Sequence, residues 1–442
     1  QPALLIGIMS CVGLIALKRP FHKIMTGTLK PILGYLMLAA GAGVIVSNLD
    51  PLGKMIEHGF HITGVVPNNE AIVAVAQKVL GVETMSILVV GLLMNLLIAR
   101  FTKFKYVFLT GHHSLFMACL MSAVLGTAGL SGIELILVGG FLMGAWSAIS
   151  PAIGQSYTSK VTDGDEIALG HFGSLGYYLS AWVAKYVGKA EESTEDIEIP
   201  EKWGFLRDST LSTALTMIVF YLIAAIAAGS EFVSTLSGSM SPYLFAIMSA
   251  MNFAVGVTIV YSGVRMILGD LIPAFQGIAT KIIPNAIPAV DCAVFFTYAP
   301  TAVVLGFISS FIGGIIGMLI LGAVGGVLII PGLVPHFFCG ATAGIYGNAT
   351  GGRRGAAVGA FLNGLAITFL PALALPVLGQ LGFQNTTFGD ADFAVMGLVL
   401  GNAFEWIGMA GIYGVVVIAA LVLIIPNFIK TKGKVINYVE EE

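Results

Sequence analysis

Residues 282–318 read IIPNAIPAVDCAVFFTYAPTAVVLGFISSFIGGIIGM and carry one charged side chain, Asp291. A helix crosses the hydrocarbon of a bilayer with about 20 apolar residues, so this run is too long for one plain span. Pro284, Pro288 and Pro300 interrupt it, and proline inside a helix removes a backbone donor and clashes with the preceding turn. Irregular backbone at membrane depth is tolerated only where protein buries it or where it lines a cavity. A carboxylate there needs a partner, because an unpaired charge in an apolar medium is costly. The stretch therefore reads as a broken membrane segment around Asp291, either an N-cap at the break or part of a polar site.

The rest of the chain agrees. Its 442 residues are 57% hydrophobic and 10% charged, where an average soluble protein is about a quarter charged. Long apolar runs recur from end to end without the alternation of barrel strands. An all-α polytopic membrane protein is expected, with about 11 transmembrane helices and with re-entrant hairpins and broken helices. The spans fall at roughly 3–17, 31–49, 84–100, 106–127, 131–153, 209–229, 241–264, 282–318, 321–345, 355–381 and 405–427. Breaks are expected at the Gly-rich or polar points 40–51, 148–157, 290–300 and 340–352, and residues 394–402 are too short to cross. The whole chain, 1–442, reads as one membrane unit. Its sizeable polar segment, 185–208, reads as a solvated loop on the cytoplasmic side.

Basic residues set the orientation. Lys18 to Lys30, Arg100 to Lys105, Lys160 to Lys202, Arg265, Lys281, Arg353, Arg354 and Lys430 to Lys434 fall on one side if the N-terminus is outside and the C-terminus cytoplasmic. The loop 383–392 is acidic and falls on the other side.

Several chemistries are poorly supported. The net charge of −3 suggests no nucleic acid partner. The four cysteines are scattered, without the spacing of a zinc site or a disulfide framework. No phosphate-binding loop, HExxH or GxSxG motif is present. No metal, cofactor or catalytic constellation is expected.

Candidate functional residues are the polar ones set in apolar surroundings. LTGHHSLFMA (109–118) places His112 and His113 in a membrane segment, where an ionisable group is by default functional; either could instead serve a polar helix contact. In LGHFGSLGYY (169–178), His171 and Ser174 lie at a helix start, where free N–H groups favour an anion or hydroxyl, or where a histidine simply caps. Asn68, Asn69 and Glu70 open another helix, for which capping is a sufficient reason. Glu405 is read as an interfacial acid at the head of the last span.

VTDGDEIALGH (161–171), GKAEESTEDIEIPEKW (188–203), VDCAVFFTYAPTAVVLGF (290–307) and VLIIPGLVPHFF (327–338) together resemble the ascorbate-specific membrane component, enzyme IIC (EIIC), of the bacterial phosphoenolpyruvate-dependent phosphotransferase system (PTS). The resemblance runs along nearly the whole chain. It implies a homodimer in the inner membrane, each protomer with a mobile core and a V-shaped scaffold interleaved in sequence, and elevator-like alternating access. It also implies partners: enzyme IIB (EIIB), whose phosphocysteine phosphorylates the sugar, and enzyme IIA (EIIA). The substrate implied is L-ascorbate or a related sugar. Carried over by motif, the site maps onto His112, His171 and Asp291, with a Gly-Ala-Gly turn at Ala42 and the helix opening at Asn69 and Glu70. The chain departs from the pattern in lacking glutamines after both histidines, in having Ala42 for a serine, and in lacking a tyrosine near Glu70. Such donors and acceptors discriminate hydroxyl-rich ligands. The alternative is an ion-coupled carrier of a sugar acid or polyol, in which these groups would bind protons.

Overall fold

A computed structural model describes residues 2–61, 64–67, 69–164, 166–197, 209–379 and 386–428. It contains thirteen α-helices among these residues. Seven are long and apolar enough to cross a membrane, or eight if one bent pair counts as a span. The chain is therefore an all-α polytopic membrane protein. Large apolar side chains such as Val82, Trp406 and Phe428 lie exposed on its outside, where lipid rather than water is the solvent that suits them.

One set of helices is built on two long rods, α2 (Phe21–Phe60) and α9 (Pro242–Lys281). Each has 40 residues and would measure about 60 Å, twice the hydrocarbon thickness. They run antiparallel, glycine against glycine. A Cβ on Gly34 would lie 2.8 Å from the Gly263 carbonyl oxygen, and one on Gly41 would lie 2.7 Å from that of Gly256. Small residues at this spacing let two backbones touch, which is how membrane helices gain packing energy without a hydrophobic drive. The glycines of 40–51 thus serve contact, and the break expected there is absent: α2 continues through Ala42 and Pro51. Helices α1 (Pro2–Ala16), α7 (Ser209–Ala228) and α8 (Ser230–Ser237) pack on the same pair. α7 and α8 meet at 117°.

The second set comprises α3 (Asn69–Phe101), α4 (Gly111–Thr127), α5 (Gly132–Thr162), α6 (Ser174–Val187), α10 (Pro300–Ala323), α11 (Leu333–Gly379), α12 (Ala391–Ile407) and α13 (Met409–Phe428). The break expected at 148–157 is absent, since α5 runs through Pro151. That expected at 340–352 falls at its far end, where Gly351 and Gly352 leave helical geometry inside α11. Gly352 has φ of 59°, a left-handed value that favours glycine. A side chain there would strike the carbonyls of Lys189 and Glu192. The polar segment 185–208 begins later than expected, after Val187 ends α6. Its residues 198–208 lie outside the described residues. Glu405 sits near the end of α12, not at the head of the last helix.

The long run 282–318 resolves into three elements. Residues Ile287–Val290 form strand β4, Cys292–Thr297 a 3-10 turn, and α10 starts with Pro300 in its first turn. β4 is the centre of a buried, wholly parallel three-stranded sheet with β2 (Tyr106–Phe108) and β3 (Ala168–Leu169) on its flanks. Pro288 lies within this central strand. Ile287 N–H and Ala289 C=O bond to the β2 side, whereas Val290 C=O accepts from Gly170 on the β3 side. Residue 288 therefore turns its missing N–H toward β3, just before that strand begins pairing at Ala289, so no ladder bond is lost. A second parallel pair joins β1 (Val66–Pro67) to β5 (Thr386–Thr387).

Candidate functional site

The sheet delivers polar residues to one place. All three strands are parallel, so their carboxyl ends point the same way. Asp291 follows β4 directly, His171 comes two residues after β3, and His112 lies in the first turn of the helix after β2. Parallel strands open their carboxyl ends onto a shared crevice in the same manner in open α/β sheets.

The Asp291 side chain does two things. It caps the 3-10 turn by accepting the Ala293 N–H at 3.2 Å. Its Oδ2 also lies 3.3 Å from His112 Nε2. The two contacts coexist because a carboxylate has room for several donors. The other nitrogen of His112, Nδ1, lies 3.2 Å from the hydroxyl of Tyr35 on α2. This contact ties the two helix sets together across a narrow cleft lined by Tyr35, Leu38, Thr110, Ile267 and Asp291. Thr110 is 1% exposed, and among the described residues its hydroxyl has no hydrogen-bond partner.

Deeper in, the His113 and His171 rings meet at a tilt of 46° with centroids 3.7 Å apart. His113 Nδ1 accepts the Phe172 N–H at 3.3 Å, and Phe393 stacks on its ring. His171 Nδ1 accepts the Gly173 N–H at 3.1 Å and lies 2.9 Å from the Tyr177 hydroxyl. It is also 3.8 Å from Asp390 Oδ1. Asp390 in turn accepts from Asn69 Nδ2 at 2.6 Å and from the Cys339 thiol at 2.9 Å. Asp392, fully buried, accepts from Ser174 Oγ, Trp146 Nε1 and Leu175 N–H at 2.7, 3.1 and 2.9 Å.

His112, His113, His171 and Asp291 come together. Ser174 adjoins them, its hydroxyl held by Asp392. Asn69 reaches the group through Asp390. Ala42 lies two helical turns after Tyr35 on α2, on the same face and about 10 Å further along, within continuous helix rather than a turn. Glu70 is the second residue of α3; its side chain, like Asn68, lies outside the described residues.

Sequence reading missed Tyr35, Thr110, Cys339, Asp390 and Asp392. The two aspartates were counted as charges of an outer loop, yet Asp390 is 5% and Asp392 0% exposed. The signal was available in GDADF (389–393): two carboxylates flanking a helix start beside an apolar run. Two groups of metal-ligand type, His113–His171–Asp390 and His171–Asp291–Cys292, have one polar atom each within 4.8 Å of one another. The planes of the His113 and His171 rings are inclined by 46°, and Nδ1 of both histidines accepts a backbone amide. The set is a hydrogen-bonded network suited to a hydroxyl-rich ligand.

Comparison with known proteins bears on what that ligand is. The family described as PTS system sugar-specific permease component matches residues 1–392. One curated relative, described as the ascorbate-specific PTS system EIIC component of Mycoplasma pneumoniae, is 26% identical over 410 residues. The match covers 79% of this chain and 61% of the relative, so the chain spans about six-tenths of that protein's length.

Proposed function

The chain belongs to the family of PTS sugar-specific permease components, and on that premise we propose that it binds L-ascorbate or a closely related sugar and carries it across the inner membrane. A separate EIIB, charged through EIIA, then phosphorylates the sugar from its phosphocysteine. The reading is supported by one observation above others. His112, His171 and Asp291 converge at the carboxyl ends of three parallel strands, at the seam where Tyr35 of the α2 set meets the other helices. Asp291 accepts from sugar hydroxyls, and the histidines and the orphan Thr110 hydroxyl bond to the ring oxygens.

In this reading α1, α2 and α7–α9 are the scaffold and dimerise, and the sheet-bearing set is the core that moves across the membrane. The seam at Tyr35 is then the sliding surface, and the N-terminus is outside and the C-terminus cytoplasmic. The departures from the ascorbate pattern at Ala42 and after the two histidines would tune which sugar is preferred.

The test is a binding screen of the purified protein against L-ascorbate, pentitols and hexitols. Ascorbate should bind, and Asp291→Asn and His171→Ala should lose binding while the dimer persists. Selective binding of a polyol would overturn the substrate assignment, and unchanged affinity in both variants would overturn the site.

A further inference from the structure

An anionic sugar entering the cleft meets Asp291, with the buried Asp390 and Asp392 behind it. Asp291 and Asp390 each have a histidine beside them, His112 at 3.3 Å and His171 at 3.8 Å. Asp392 is held by the neutral donors Ser174, Trp146 and the Leu175 N–H. If every imidazole is neutral, the Asp291 carboxylate faces the ligand uncompensated.

The histidines differ in their freedom to take a proton. An imidazolium has two donors and no acceptor. His113 and His171 each accept a backbone amide proton at Nδ1, and an amide N–H cannot reverse its role. Both rings are thereby held neutral. His112 has no such lock. Its Nε2 faces Asp291, and its Nδ1 faces the Tyr35 hydroxyl, which can donate to a neutral ring or accept from a protonated one. Its side chain is 38% exposed, against 4% for His171, so a proton can reach it. The titratable groups around it are Tyr35 from α2, Asp291 and Cys292 from the turn after β4, His113 from α4, and His171 from the turn after β3. Asp390 and Asp392, flanking the start of α12, stand behind His171. Ile6 of α1 and Ile267 of α9 face the cleft as apolar residues.

We propose that binding of an anionic sugar adds a proton to His112, so that anion and proton occupy the site together and cross as a pair without net charge. This rests on reading the substrate as an enediol acid of the ascorbate class. Magnitudes favour it. An imidazolium at His112, 3.3 Å from Asp291, offsets that carboxylate's charge. An anion about 4 Å from an uncompensated carboxylate, at the effective dielectric near a protein surface, is disfavoured on the order of a thousandfold. Proton uptake is the easier course.

The test is calorimetric titration of the purified full chain with L-ascorbate at pH 7.5, in buffers of different ionisation enthalpy. Net proton uptake approaching one per ligand is expected, with affinity falling as pH rises. In His112→Gln the uptake should fall to near zero. Should that variant bind too weakly to titrate, Tyr35→Phe, which removes the hydroxyl that accepts from the protonated ring, should weaken ascorbate binding several-fold at pH 7.5. Ascorbate binding without proton uptake, persistent uptake in His112→Gln, or an unaltered Tyr35→Phe overturns the inference and leaves the substrate reading standing. Binding of a neutral polyol with no binding of ascorbate overturns both.

Discussion

Asn69 and Asp390 lie 321 positions apart in the chain, and the Asn69 amide donates to the Asp390 carboxylate at 2.6 Å. The same amide accepts the Gly389 N–H through its oxygen at 2.9 Å. One side chain thus fastens the first turn of α3 to the start of α12 and aims a carboxylate beside His171.

Asn69→Ala removes both bonds, one of them to a charged group, and should cost about 2–3 kcal/mol of stability. Asn69→Asp should be worse, because it sets a second carboxylate against Asp390. Thermal unfolding in detergent checks the order. An Asn69→Asp protein as stable as the parent would show that this contact does not form.

Asp392 offers a sharper case. It is fully buried and its donors come from two elements, Trp146 of α5 and Ser174 and Leu175 of α6. Asp392→Ala strands all three, and stranded buried donors cost about 1–3 kcal/mol each. Loss of folded protein or a melting point lowered by many degrees is expected. Asp392→Asn keeps one accepting oxygen and should fall between. The discriminating readout is Trp146 fluorescence, which should report a wetter indole in Asp392→Ala.

How much of this the sequence reveals depends on the range of the interaction. Asp291 and His112 stand out because a titratable group in an apolar run is expensive wherever it sits, and that cost is visible without any partner. The proline-broken stretch 282–318 likewise declares that no single helix can hold it. The sheet is not legible. Its strands have two to four residues, too short to show a period, and their pairing joins segments about 120 or more residues apart in β3 and β4. Asp390 and Asp392 were hidden for a related reason: charge in a short connection reads as solvated until the buried Cys339 and Ser174 and the partly buried Trp146 are brought to it. The glycines near Ala42 misled in the opposite sense. Glycine signals a break or a close contact equally well, and only the facing Gly256 decides between them.

Thr110 separates binding from folding. Thr110 lines the cleft and its buried hydroxyl has no partner among the described residues, so Thr110→Val, nearly the same shape, should leave the melting point unchanged or slightly higher. If the hydroxyl meets the sugar, affinity should fall about twofold to tenfold, the value of one neutral hydrogen bond. Equal affinity in the two proteins would remove Thr110 from the site.

The glycine seam between α2 and α9 yields a prediction of opposite signs. A Cβ on Gly263 would stand 2.6 Å from both the Gly34 carbonyl oxygen and the Leu38 nitrogen. Both are backbone atoms, so no side chain can swing aside and the rods must part. Gly263→Ala should therefore cost about 1–3 kcal/mol, the usual range for overpacking. Gly43, on the same rod as Gly41, would meet nothing within 4 Å. Relieved of steric conflict, Gly43→Ala should instead add about 0.5–1 kcal/mol through the better helix propensity of alanine. Melting points of the two variants, measured side by side in one detergent, should move in opposite directions. A common direction for both would mean that glycine contact does not set the α2–α9 approach.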